Sequence, residues 1–168
     1  HTVSSKKTLF VLGPTGVGKT MSAIFPSVRA IGEGKGETLF YLTAKTITGT
    51  VAWEAFHTLR ENGLKFKVTA ITAKEKLCFL DSPECTPEKC PYAKGHFDRV
   101  NDAVYELWTT EEVYSREVIR AHAEKWQVCP FEMCLDLSVW VDGVICDYNY
   151  AFDPNVHLKR FFGENISG

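Results

Sequence analysis

Apolar positions along this 168-residue chain follow two rhythms. Short β-prone runs occur at Thr8–Leu12, Glu37–Thr43, Phe66–Thr72 and Gly143–Asn149. Runs of this length, rich in branched and aromatic residues, predict strands; the first reads as a buried strand of a parallel sheet. Between them the apolar spacing changes to three and four. Ala23, Ile24, Val28 and Ile31 predict a helix from Met21 to Ile31, which Pro26 should kink or shorten. Val51, Ala52, Ala55, Phe56 and Leu59 predict a second helix over about 50–62, with Gly63 as its stop. Strand and helix alternating through residues 1–74 predict βαβαβ, with a parallel sheet and right-handed crossovers.

Residues 75–130 show no strand rhythm. Val100, Ala103, Val104, Leu107 and Trp108 form one helical stripe. Thr109 to Glu112 reads as a capping box opening a further helix, with Val118, Ile119, His122 and Trp126 facing inward. Thr86-Pro87 reads as an N-cap with proline at the first helical position, which puts Cys90 on a short helical turn. Strand character returns at 143–149, where Cys146 lies mid-strand as a small core residue. The predicted class is α/β: a parallel sheet in residues 1–74, a mainly helical insertion in 75–130, and a return to the sheet in 131–168. There is no internal repeat and no low-complexity segment.

Charge changes this picture. Residues 1–74 hold ten Lys+Arg against four Asp+Glu, a net of +6; residues 75–128 hold seven against eleven, a net of −4; residues 129–168 hold two against six, also −4. The first lobe is therefore the basic one, as a polyanion partner requires. A hydrophobic fraction of 45% is enough to pack a core. No apolar run is long enough to span a membrane and no secretory signal opens the chain, so the expectation is a cytoplasmic, reducing compartment. There, six cysteines favour ligands over disulfides.

Two candidate sites stand out. Gly13-Pro14-Thr15-Gly16-Val17-Gly18-Lys19-Thr20 fits G-x-x-x-x-G-K-[ST] in full, between a predicted strand and a predicted helix. In such a loop the amides of Gly13, Thr15, Gly16, Val17 and Gly18 and the helix N-terminus bind phosphate oxygens. Lys19 reaches the β- and γ-phosphates of ATP, and the Thr20 hydroxyl holds Mg²⁺. The second site is Cys78-x6-Cys85-x4-Cys90, followed after thirty-eight residues by Cys129. Four thiolates suit a [4Fe–4S] cluster or tetrahedral zinc. Zinc sites usually show closer cysteine pairs, and Cys129-Pro130 is like the Cys-Pro that closes a cluster-binding run. Cys134 is a core residue or a spare thiol.

Together these pieces resemble the iron–sulfur superfamily 2 DNA helicases of the XPD and DinG group. Gly13–Thr20 matches that family's first helicase motif. Tyr41-Leu-Thr-Ala-Lys-Thr-Ile-Thr48 matches its next, which touches the DNA backbone. Ala73-Lys-Glu-Lys-Leu-Cys78 is similar to the basic lead-in to the first cluster ligand, and Cys90–Arg99 to the stretch after the middle ligands. Cys129-Pro-Phe-Glu132 matches the fourth ligand. Asp147-Tyr-Asn-Tyr-Ala-Phe-Asp-Pro154 resembles the segment just before the family's DEAH box. The resemblance implies a RecA-like motor domain 1, a cluster held by Cys78, Cys85, Cys90 and Cys129, and 5′-to-3′ translocation and unwinding of DNA in repair, by a monomeric motor acting on single strands and fork junctions. It implies DNA contacts at Thr43, Lys45 and Thr46, at a strand's C-terminal end, where doubly wound sheets bind ligands. Lys74 and Lys76 either contact phosphate, screen the cluster, or are plain surface lysines. Tyr148 and Tyr150 either stack bases or pack in the core.

The departures matter equally. No Asp-Glu-Ala-His occurs, so the chain is expected to be part of a helicase, able to bind ATP but inactive alone. The sequence leaves open whether a given preparation holds the iron–sulfur cluster, zinc or neither metal. Two other classes fit the same residues: a P-loop kinase with a structural zinc, of the thymidine kinase kind, and a non-catalytic, metal-organised module that binds nucleic acid.

Overall fold

A computed structural model describes residues 3, 5–12, 18–44, 46–81 and 84–152. It is mixed α/β, with an open three-stranded, all-parallel sheet of β1 (Leu39–Thr43), β2 (Val68–Ala70) and β3 (Gly143–Asp147) in the order β1-β3-β2. The last strand in the sequence is thus the central one. Leu39 to Thr43 pairs in register with Gly143 to Asp147, and Val68 to Ala70 with Gly143 to Ile145. Gly143 is required there by space: a Cβ would stand 2.9 Å from Phe66 Cε1 and 3.3 Å from Val68 Cγ2.

The alternation of side chains along the strands divides the core in two. Leu39, Tyr41, Val68 and Ile145 face one helical layer, α1 (Lys19–Gly32) and α2 (Thr46–Glu61), where Ile24, Val28, Ala52 and Phe56 are buried. Phe40, Leu42, Val144 and Cys146 face the other: α4 (His96–Thr110), α5 (Arg116–Trp126) and α6 (Pro130–Leu137). Of the stripe foreseen in α4, Val100, Ala103, Val104 and Leu107 are buried, Ala103 and Leu107 fully, while Trp108 is only partly covered. The helical segment between β2 and β3 therefore closes the second face of the sheet. Cys134 and Cys146 are core residues, their thiols pushed up to about 12 by burial.

Helix ends follow local chemistry. Gly63, at φ 92, ends α2: Gly63 N–H donates to the Arg60 carbonyl and Leu64 N–H to that of Leu59, closing orphan carbonyls as a left-handed cap does. Helix α1 runs through Pro26 to Gly32, so the proline does not shorten it. The capping box expected at Thr109 is absent: α4 continues to Thr110, and both threonine hydroxyls bond back to carbonyls of the preceding turn. Ser115 caps α5 instead, accepting the Val118 amide at 3.3 Å. Val51, assigned to the inner face of α2, is exposed.

The largest correction concerns Thr8–Leu12. It is in no strand, and Leu9, Phe10, Val11 and Leu12 are 65–103% exposed. Its composition suits a buried strand, but it pairs with no strand of the sheet, whose three places are held by β1, β3 and β2. The sheet segments are also shorter than the apolar runs that predicted them.

One basic side chain joins the two ends of this architecture. Lys67, just before β2, donates its ammonium to the carbonyls of Trp108 and Glu111 and to the Tyr114 hydroxyl. It also lies 4.8 Å from the Trp108 ring centre and 5.5 Å from that of Tyr114. Replacing it with methionine keeps the aliphatic stem but removes three hydrogen bonds, the Trp108 carbonyl keeping only the Tyr114 hydroxyl as donor among the described residues. We expect Lys67→Met to cost about 2 kcal/mol, read as a lower urea midpoint with an unchanged slope.

Candidate functional site

The C-terminal ends of the three strands open into a cleft of about 530 Å³. Thr43 ends β1, Ala70 ends β2 and Asp147 ends β3, and all three line it. Trp53 enters from α2, Lys76 from α3 (Lys74–Leu77), and Tyr150 from α7 (Asn149–Phe152). The chain leaves β3 by a fixed turn: Tyr148 N–H donates to the Thr43 carbonyl at 3.1 Å, and Asn149 N–H to Asp147 Oδ1 at 2.9 Å. The first bond carries the β3–β1 pairing one residue further; the second orients the carboxylate, as an Asx turn does.

The two tyrosines part company. Tyr150 packs against the core of the second face, and burial raises its phenol above the ordinary value, keeping it protonated. Tyr148 lies exposed, its ring 6.2 Å from that of Phe152. Of the expected DNA contacts, Thr43 lines the cleft, Lys45 falls outside the described residues, and Thr46 opens α2. Lys74 belongs to the cysteine region instead.

Of the expected phosphate loop, Gly13, Thr15, Gly16 and Val17 lie outside the described residues. Gly18 is the left-handed N-cap of α1 at φ 72, and its carbonyl accepts the Ser22 amide. Lys19 and Thr20 are the first two residues of α1, in the turn where amides lack helical partners. No acidic side chain occupies that turn.

The cysteine-bearing segments are pinned by basic side chains. Cys78 C-caps α3, its amide bonding the Lys74 carbonyl at 2.9 Å, and its sulfur accepts the Leu80 amide. Arg120 donates to the carbonyls of Leu77 and Cys78 and lies over the Phe79 ring. Cys90 ends the helical turn foreseen from Thr86-Pro87, its amide bonding the Thr86 carbonyl. Arg99 ties the turn after Cys90 to the approach to Cys129, donating to the carbonyls of Lys94, Trp126 and Gln127. Cys129, N-cap of α6, donates its amide to His96 Nδ1 at 3.2 Å.

Lys74 sits at the meeting point. Its hydrogen bond to the exposed Cys85 thiol holds its pKa above the usual lysine value against partial burial, and Cys129 adds to this. Burial raises the Cys129 thiol; the amides of Glu132 and Phe131 and the Lys74 charge oppose this, although no side-chain cap bond reaches full hydrogen-bond geometry. All six cysteines are free thiols. Among the described residues no three His, Cys, Asp or Glu side chains are placed to hold a metal ion. The expected ligands Cys78, Cys85, Cys90 and Cys129 are thus not gathered into a metal-holding group among the described residues.

Sequence reasoning missed Arg99, Arg120, His96, Trp53 and Asp147. Only Asp147 left a local signal, the Asp-x-Asn spacing of a turn at a strand end. Among the described residues no helix is long and apolar enough to cross a membrane. No protein-family model matches the chain, and no curated protein matches it.

Proposed function

We propose that the chain is part of motor domain 1 of an iron–sulfur superfamily 2 DNA helicase. In this reading the sheet is an incomplete RecA-like core, and residues 75–130 are its cluster-bearing insertion. The observation that carries it is the position of α3. That helix starts four residues after β2, lends Lys76 to the cleft at the sheet's C-terminal edge, and ends on Cys78. Cleft and cysteines are thus joined by one helical turn, as a motor that couples strand grip to a metal-organised wedge requires.

The residues then divide the work. The loop ending in Gly18, with Lys19 and Thr20 behind it, would hold the phosphates and Mg²⁺ of ATP. Thr43, with Lys45 and Thr46 beyond it, would touch the DNA backbone. Cys78, Cys85, Cys90 and Cys129 would hold the cluster, and Lys74 would offset its negative charge. The bound cluster would supply folding energy to a segment whose cysteine loops have little apolar surface of their own. With no Asp-Glu-Ala-His in the sequence, this chain alone would bind ATP weakly and hydrolyse almost none.

The deciding measurement is iron, zinc and acid-labile sulfide per chain in protein purified without oxygen. We expect about four irons and four sulfides. Stoichiometric zinc without sulfide would overturn the cluster and move the reading to the zinc-bearing kinase, for which thymidine phosphorylation is the next assay.

A further inference from the structure

We propose that the cleft at the C-terminal edge of the sheet seats one unstacked nucleobase of a bound strand, with Trp53 and Tyr150 as apolar walls and Asp147 as the acceptor that reads its edge. This deepens the nucleic-acid reading above and rests on it.

The argument starts from charge. A groove that only tracks a phosphodiester backbone is lined by lysine and arginine, because neutralised phosphates supply the affinity. This cleft is different: among the described residues its charged lining is one cation, Lys76, and one carboxylate, Asp147. A carboxylate facing a phosphate is repulsive, yet Asp147 is not a stray surface acid. It ends the central strand, and the Asn149 amide holds its Oδ1 at 2.9 Å. A fixed carboxylate is the natural partner of an exocyclic amine, as on cytosine N4; thymine carries none.

The rest of the lining agrees. At about 530 Å³ the cleft lies in the range that buries small organic ligands. Trp53 and Tyr150 are aromatic, half-buried, and held by the cores on opposite faces of the sheet. Such rings are stacking surfaces for any base. Lys76, exposed on α3, supplies the positive charge for a flanking phosphate. An apolar, aromatic pocket with one oriented acceptor and one cation matches a base attached to a backbone better than a backbone alone.

The test compares short single strands of equal length at fixed salt on the full chain: deoxycytidine, thymidine and an abasic sugar-phosphate, with free deoxycytidine monophosphate beside them. The deoxycytidine strand should bind about tenfold or more tighter than the abasic strand, and tighter than thymidine. Trp53→Ala should remove most of the advantage over the abasic strand. Asp147→Asn should erase the preference over thymidine while leaving abasic binding equal or stronger. Where Trp53→Ala fails to fold, the conservative Asp147→Asn decides alone. Equal affinity for normal and abasic strands overturns the base seat and leaves backbone binding standing. Free monophosphate binding as tightly as the strand overturns it in favour of a mononucleotide site. Binding of no strand overturns this inference and the nucleic-acid reading together.

Discussion

Leu107→Ala should destabilise the protein by about 3 kcal/mol, within the range for fully buried leucines. The thermal midpoint should fall by about 6–12 °C. Leu107 has no exposed surface and belongs to the core built from α4, α5, α6 and the inner face of β3. Its removal leaves a cavity among Tyr114, Ile119, Leu137 and the other buried members of that core, which close packing cannot readily refill. Because Val144 and Cys146 of the central strand share this core, the damage should not stay in the helical layer. Helix and sheet signals should melt together. A biphasic transition, with the sheet surviving loss of α4, would show that the helical segment folds as a unit of its own.

That shared core also explains what local patterns reveal and what they hide. The stripe through Val100, Ala103, Val104 and Leu107 is legible because helical spacing is a local property, and these side chains are buried as read. Gly63 is legible for the same reason, since a left-handed cap needs a glycine just after the last apolar turn. Cys146 is legible because a small residue among β-branched neighbours belongs in a strand.

Thr8–Leu12 fails because strand pairing is not local. Thr8–Leu12 is as β-prone as β3, but the central place in the sheet goes to a segment more than a hundred residues later. Thr109–Glu112 matches a capping box letter for letter, yet the same threonine can bond back into the turn before it, and here it does. Of the candidate site, the cysteine spacing and the strand-end position of Thr43 could be read in advance. The two arginines that pin the cysteine segments could not. Arg120 reaches back about forty residues to Cys78, and Arg99 forward almost thirty to Gln127; no spacing rule connects them.

Cys129→Ser should strip the proposed centre almost completely, while Cys134→Ser should leave it intact. The two cysteines lie five positions apart on and before the same helix, so composition cannot separate them. Their surroundings do. Cys134 is fully buried, and its nearest polar contacts are the Thr69 hydroxyl and the Ala70 carbonyl. Cys129 sits at the helix N-terminus; burial raises its thiol, but the Glu132 and Phe131 amides and the Lys74 ammonium oppose this and favour the thiolate a metal would take. A serine there loses a soft ligand but keeps the turn, so the metal-free fold should survive. Iron and sulfide per chain should therefore drop to background for Cys129→Ser, with the helical signal of the metal-free protein unchanged. Lys74→Ala should act between these limits. It leaves all four thiols but removes the cation beside Cys85 and Cys129, so iron should load and then be lost to chelator several-fold faster. Equal iron in Cys129→Ser and the parent chain would remove Cys129 from the ligand set, and with it the long spacing on which the cluster assignment depends.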